Sequence, residues 1–269
     1  MTELESLLRD ATERVHRIVQ GIGEAERRRV VGVGAAGDST LIVDRMAEDE
    51  LVRQILTVGD MRVLSEERGE LGSRNARLVA VLDPVDGSSN YERGIPFYCT
   101  SVAIASGSTL GAVECGIVRN LVNGDVYFAK KGRGATKNGA KISTSRTRRL
   151  SEAVVTVDMC RASEKEIVRL APLVAAVKRQ VHMGANALEL CFLAEGRVDA
   201  FVDVRGRMRI TDFAAAYLIA KEAGAIVTDG EGNGIDPPIS LGERFGFMAS
   251  CNSQIHRQLL KYTRRRASR

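Results

Sequence analysis

The stretch LDPVDGSSN, residues 82 to 90, ends the apolar run RLVAVLD (77 to 83) with two aspartates three positions apart, followed by a group of small hydroxyl residues. Taken alone it reads as a turn. Pro84 presets φ at the second turn position, the aspartates bond back to the backbone, and Gly87 takes a conformation that other residues avoid. The same residue types also suit a site, because strand-end carboxylates take hard cations and N–H groups at a helix start take phosphate oxygens. The choice depends on what the rest of the chain brings to that place.

Outward from this stretch, short apolar runs predict strands at 62 to 67, 100 to 106, 110 to 118 and 124 to 131, with Asn123-Gly124 and Asn138-Gly139 as hairpin turns. Upstream, Leu4, Leu7, Leu8, Ala11, Val15, Ile18, Val19 and Ile22 recur at helical spacing, with Thr2 and Glu5 as a capping box. A second helix is expected over 40 to 57, capped by Asp38, Ser39 or Thr40. From about 150 strands and helices alternate, with helices over 163 to 179, 186 to 195, 212 to 223 and 253 to 262. The expectation is an α+β part, 1–145, carrying the metal-binding motifs, and an α/β part, 146–269, with the site at their junction.

At 269 residues, 44% apolar and 27% charged, the chain has the composition of a soluble globular protein. It shows neither a membrane-spanning run nor a secretory leader, so a cytoplasmic location is expected. The net charge of +5 sits in the tail KYTRRRASR, 261 to 269, and the remaining 260 residues balance at 34 of each sign. The tail reads as a solvated terminus, with binding to nucleic acid as the minority reading. Cys99, Cys115, Cys160, Cys191 and Cys251 read as reduced core residues, and His16, His182 and His256 as solitary surface or core residues and not ligands. Residues 32 to 37 fit G-x-G-x-x-G, but no core strand leads in and Asp38 would repel a pyrophosphate, so a glycine loop is expected instead of a dinucleotide site.

Three acidic stations stand at element ends: Glu66 and Glu67, Asp83 and Asp86, and Asp212 at the start of FAAAYLIAKEAG. Separately they read as a solvated pair, a turn and a helix cap. Together they would mean something else. Two negative charges about 4 Å apart repel by roughly 4 kcal/mol at an effective dielectric near 20, so a cluster needs a cation. Oxygen ligands without His or Cys select Mg²⁺ or a similar ion.

VLSEERG, LDPVDGSSN and ITDFAAAYLIAKEAGAIVTDGEG resemble, in order and spacing, the three signatures of the inositol monophosphatase family of Mg²⁺-dependent, lithium-sensitive phosphatases. GANALELCFLAEGRVDAFVDVR and GIPFYCTSVAIA look most like its archaeal-type branch, which hydrolyses both inositol phosphates and fructose 1,6-bisphosphate. The resemblance covers nearly the whole chain and implies a layered αβαβα sandwich of the sugar-phosphatase type and a homodimer. It implies two or three Mg²⁺ ions held by Glu66, Asp83, Asp86, Asp212 and the Val85 carbonyl. Ser88 takes the place of the threonine whose hydroxyl orients the attacking water, helped by Glu66 or Asp44. Asp86, Gly87, Ser88, Gly184, Ala185 and Asn186 match substrate contacts, and Arg205 matches a basic residue for a second phosphate.

The implied chemistry is in-line attack by metal-activated water, with no phosphoenzyme. D-x-x-D also differs from the D-x-D of phosphatases that form an aspartyl phosphate. The chain departs from the pattern at Thr211, where many relatives have Trp, and at Ser88-Ser89 in place of Thr-Thr. The loop AAGDSTLIVD lacks the usual lysine, and Val181 and His182 stand where an arginine is expected before GANALE, with Arg179 nearby. The alternatives are a phosphatase of 3'-phosphoadenosine 5'-phosphate or NADP, and a non-catalytic protein that binds through its basic tail.

Overall fold

The structure is a computed structural model that describes residues 3–35 and 37–264. Thr2 of the expected capping box, Ala36 of the glycine loop and residues 265–269 of the basic tail lie outside the described residues. In chain order the elements of the first half are α1 (Glu3–Gly21), β1 (Val30–Val33), β2 (Ser39–Leu41), α2 (Ile42–Ile55), β3 (Met61–Ser65), β4 (Gly69–Gly72), β5 (Leu78–Asp86), α3 (Ser88–Arg93), β6 (Cys99–Ala105), β7 (Val113–Asn120), β8 (Val126–Lys130), β9 (Ala135–Lys137) and β10 (Ala140–Lys141). Then follow β11 (Val154–Val157), α4 (Glu164–Ala176), β12 (Arg179–Val181), α5 (Asn186–Ala194), β13 (Ala200–Met208), α6 (Ile210–Glu222), β14 (Ile226–Thr228), β15 (Phe245–Ser250) and α7 (Ser253–Thr263).

Two sheets carry the architecture, one of eight strands in the order β10-β9-β8-β7-β6-β5-β3-β4 and one of five in the order β12-β11-β13-β15-β14. Helices α1 and α2 pack on the outer face of the larger sheet, α5 and α6 lie between the sheets, and α4 and α7 pair outside the smaller one. The layers are therefore αβαβα. Alternation along single strands feeds both faces: Val63, Ala80 and Leu82 join the core under α1 and α2, while Leu64, Val79 and Val81 join the core shared with α5 and α6. Covered on both sides, β5 is buried from Val79 through Asp86, which explains its unbroken apolar run. Helix α6 comes close enough to β7 that a Cβ on Gly116 would stand 2.8 Å from Ala215 Cα, so glycine and alanine at these positions set the layer spacing.

The hairpin turns fall where expected. Asn138 and Gly139 both have positive φ, 51° and 83°, between β9 and β10, as the tight two-residue turn requires. Other expectations need correction. The helix read over 40 to 57 begins only at Ile42, because Ser39 to Leu41 pair with β1. The cap is Leu41, whose backbone N–H donates to Asp44 Oδ2 at 2.9 Å, and none of the expected hydroxyl caps is used. The glycine loop is the turn of the β1–β2 hairpin, with Gly34 N–H on the Asp38 carbonyl at 2.9 Å. Among the described residues no helix is long and apolar enough to cross a membrane.

Candidate active site

Strands β3 and β5 run parallel with Ser65 opposite Leu82, so Glu66 and Asp83 leave the register side by side. Pro84 has no N–H to give the ladder, and the four residues of β5 from Asp83 to Asp86 face three of β6 from Ser101 to Cys99. Asp212 arrives from the middle layer as the third residue of α6. Carboxylate oxygens of Glu66, Asp83 and Asp212 all lie within 4.8 Å of one another. Residues 66, 83 and 212 come from three elements, one of them beyond the last strand of the larger sheet.

Burial and mutual repulsion govern these groups. Burial, then the charge of Asp212, raises the pKa of Glu66, and the Arg209 guanidinium opposes the rise. Asp83 is pushed well up by burial and by Glu66, Asp86 and Asp212. Asp212 is raised by burial against the pull of Arg209 and the Thr211 hydroxyl, which donates to it at 2.7 Å. Asp83 Oδ1 is buried without a hydrogen-bond partner, and so is Asn186 Oδ1, beside Asp212. An orphaned carboxylate oxygen among like charges is costly unless a cation completes it. The donors in this cluster are hard oxygens, so the residues fit Mg²⁺ or an ion of its kind.

The glycine of the motif closes the other side. Gly87 has φ 89°, and a Cβ there would stand 3.0 Å from the Phe97 carbonyl and 3.1 Å from Ala185 Cβ, so the 184–185 turn packs on bare backbone. Asn90 Nδ2 donates to the carbonyls of Phe97 at 2.8 Å and Met183 at 2.6 Å, tying α3 to that turn. Asp86 Oδ2 accepts the Ala187 N–H at 2.7 Å, at the start of α5. A cavity of about 340 Å³ reaches the cluster at Glu66, lined by Ala35, Glu66, Arg209, Thr211, Leu241 and Arg244 among others.

A family model for the inositol monophosphatase family matches residues 3–267. The chain belongs to the inositol monophosphatase family. It is 34% identical to a fructose-1,6-bisphosphatase/inositol-1-monophosphatase of Methanothermobacter thermautotrophicus, over 93% of this chain and 92% of that one. It is 33% identical to a bifunctional NADP phosphatase/NAD kinase of Methanococcus maripaludis, of whose length it spans 49%. Among solved structures, the extragenic suppressor protein suhB from Bartonella henselae superposes with a TM-score of 0.85 at 26% identity, over 98% of this chain and 99% of that one. A solved inositol monophosphatase–fructose 1,6-bisphosphatase reaches 0.87 at 28% identity, over 97% and 100%.

In this member of the inositol monophosphatase family the remaining sequence candidates take varied places. Ser88 is half-buried at the first position of α3. Asp44 is buried at the first turn of α2, and burial raises its pKa to about 7 against the Leu41 N–H, with Glu67 and Glu48 adding repulsion. Arg205 is engaged elsewhere: its guanidinium pairs with Asp203 at 2.8 Å, with Asp158 and with the Cys160 carbonyl, and its side chain is 6% exposed. The cations beside the cluster are Arg209, paired with Glu66 and with Asp38 at 2.6 Å, and Arg244, which lines the same cavity and whose charge lowers the Asp212 pKa. Sequence reading missed both, and an arginine three residues before a site aspartate was the available signal. Cys160 and His182 also depart from expectation. Cys160 is exposed and not a core residue, and His182 is not solitary, because its Nε2 lies 3.4 Å from Cys160 Sγ.

Proposed function

We propose that the chain is a Mg²⁺-dependent hydrolase of phosphate monoesters, with inositol 1-phosphate and fructose 1,6-bisphosphate as substrates and water as acceptor. The observation that carries this reading is the convergence of Glu66, Asp83 and Asp212 around a buried Asp83 oxygen that nothing in the protein satisfies. In the proposal these three, with Asp86 and the Val85 carbonyl, hold two or three ions. Bound there, Mg²⁺ supplies Lewis-acid polarisation of the phosphoryl group, activation of water and charge relief at the leaving oxygen.

The chain's own residues do the rest. Ser88 orients the attacking water through its hydroxyl. Asp44, buried at the first turn of α2, and Glu66 are the carboxylates that take the water's proton in this proposal. Asp86 keeps the start of α5 in place and with Gly87, Ser88, Gly184, Ala185 and Asn186 frames the substrate. Arg209 and Arg244 line the same cavity as Glu66 and put positive charge there for a phosphate's outer oxygens. We assign a second phosphate to these two arginines in preference to Arg205, whose donors are already spent on Asp158 and Asp203. The proposal includes a homodimer, testable by light scattering, and a cytoplasmic location, which suits five free cysteines.

Phosphate release from inositol 1-phosphate, fructose 1,6-bisphosphate and NADP, each with and without Mg²⁺, tests the reading. Turnover of the first two that disappears on chelation supports it. Turnover of NADP alone would favour the second reading, to which the Methanococcus maripaludis relative points, and inertness toward all three would end both.

A further inference from the structure

A second group of possible ligands stands outside the acidic cluster. Strands β11 and β12 run parallel with Thr156 opposite Val181, so the segments just past their ends, at Asp158 and at His182, emerge together. Cys160 follows in the turn after Asp158. The three side chains offer one oxygen, one sulfur and one nitrogen, all within 4.8 Å of one another. His182 Nε2 lies 3.4 Å from Cys160 Sγ and 3.4 Å from Asp158 Oδ1.

These separations have a meaning. Around a tetrahedral ion with bonds of about 2.0–2.3 Å, neighbouring donors stand about 3.3–3.6 Å apart. A hydrogen-bond network explains the spacing less well, since a single ring nitrogen carries one proton or one lone pair, yet a thiol and a carboxylate both converge on it. The surroundings are those of a supported site. Arg205 takes Asp158 Oδ2 and the Cys160 carbonyl, and the Cys160 N–H donates to Asp158 Oδ1 at 2.8 Å, so both residues are held in place. On the far side of the ring, His182 Nδ1 lies 3.1 Å from Glu189 Oε1. Glu189 is fully buried, and its other oxygen has no hydrogen-bond partner. The contact is a close charge pairing without hydrogen-bond alignment, and a buried carboxylate behind a histidine in this way favours the ring orientation that turns Nε2 toward a metal.

We propose that Asp158, Cys160 and His182 form a second metal site, selective for a borderline-soft divalent cation of the Zn²⁺ class, with Glu189 positioning the histidine. Three protein ligands leave one position open, and the exposure of Cys160 gives the ion a way in. Glu189 Oε1 also accepts the N–H groups of Met183 at 2.8 Å and Gly184 at 2.9 Å, so the ion would stiffen the turn that packs on Gly87. The site does not depend on the phosphatase reading, and its test needs no turnover.

Co²⁺ is the probe, added to the metal-free protein in a large excess of Mg²⁺, which competes for carboxylate oxygens but poorly for a thiolate. One equivalent should bind with a thiolate-to-cobalt charge-transfer band in the near ultraviolet. Glu66→Gln should leave the band unchanged and Cys160→Ser should abolish it. Zn²⁺ should displace the cobalt, and Glu189→Gln should weaken binding by about 10–100-fold. Absence of the band from the unaltered protein, its survival in Cys160→Ser, or its loss in Glu66→Gln would each overturn the proposal.

Discussion

Asp203 and Asp83 are both buried acids on central strands, Asp203 on β13 of the five-stranded sheet and Asp83 on β5 of the eight-stranded one. Their surroundings differ. Asp203 takes Arg205 Nε at 2.8 Å, Arg205 Nη2 at 2.9 Å and the Arg205 N–H at 3.1 Å, so every donor it needs comes from within the chain. Asp83 faces Glu66, Asp86 and Asp212, and its Oδ1 meets no donor at all. Where the fold supplies the counter-cation, a buried carboxylate holds the structure together. Where it withholds one, the carboxylate is held ready for an ion from solution. Folding stability is given up at Asp83 for the sake of binding.

The contrast breaks most sharply under substitution. Asp83→Asn or Asp212→Asn is expected to lower kcat by at least about 10³, by removing a carboxylate charge that would hold the metal ions. The same changes relieve repulsion, so the metal-free melting temperature should hold or rise. Full Mg²⁺-dependent turnover in either variant would remove that residue from the site. Asp203→Asn should do the reverse, leaving Arg205 buried and half paired at a cost on the order of 3 kcal/mol, read by denaturant unfolding. Unchanged stability there would erase the distinction between the two acids.

The next effect sharpens the comparison through pH. A carboxyl whose pKa is higher folded than unfolded binds more protons when folded, so its stabilisation is complete below the unfolded pKa and is lost as pH rises through the folded one. For Asp44 that window runs from 3.8 to about 7, and Glu66, Asp83 and Asp212 shift in the same direction. The metal-free protein should therefore melt lower at about pH 8 than at about pH 5. Mg²⁺ at roughly a hundred times its Kd should restore about 2.7 kcal/mol at the higher pH and less at the lower. A melting temperature indifferent to Mg²⁺ at both values would mean that the cluster holds no ion.

The acidic cluster was legible because its residues end unbroken apolar strands and open a helix, signals that survive in one dimension. Asn138-Gly139 was legible for a similar reason, since only a tight turn uses two adjacent positive φ values. The β1–β2 hairpin was not. Val30, Val31 and Val33 are exposed, so no buried face imposed a period on them. Strand β12, with Arg179 and Gln180 in its three residues, was hidden likewise. Because pairing of β11 with β12 is what brings His182 to Cys160, that group could not be read before the topology. Arginines are the hardest case. Arg205 and Arg209 lie four positions apart on the same approach to α6, and only the turn of the chain between them decides that one faces Asp203 and the other Glu66.

Those two arginines give the smallest expected effect and the finest test of the comparison. Arg209 lines the cavity, paired to Asp38 and to Glu66, and an incoming ion would claim Glu66, so that part of its charge becomes available to substrate when the site is filled. Arg209→Ala should raise KM for fructose 1,6-bisphosphate by about tenfold, near 1.4 kcal/mol, and for inositol 1-phosphate by less, with kcat little changed. Arg205→Ala should leave the ratio of the two KM values alone and lower the melting temperature, because it strips Asp158 and Asp203 of their shared partner. If Arg205→Ala selectively weakened the bisphosphate while folding stability held, the guanidinium would have to leave its carboxylates when substrate binds. The smaller sheet would then belong to the site and could not be counted as its support.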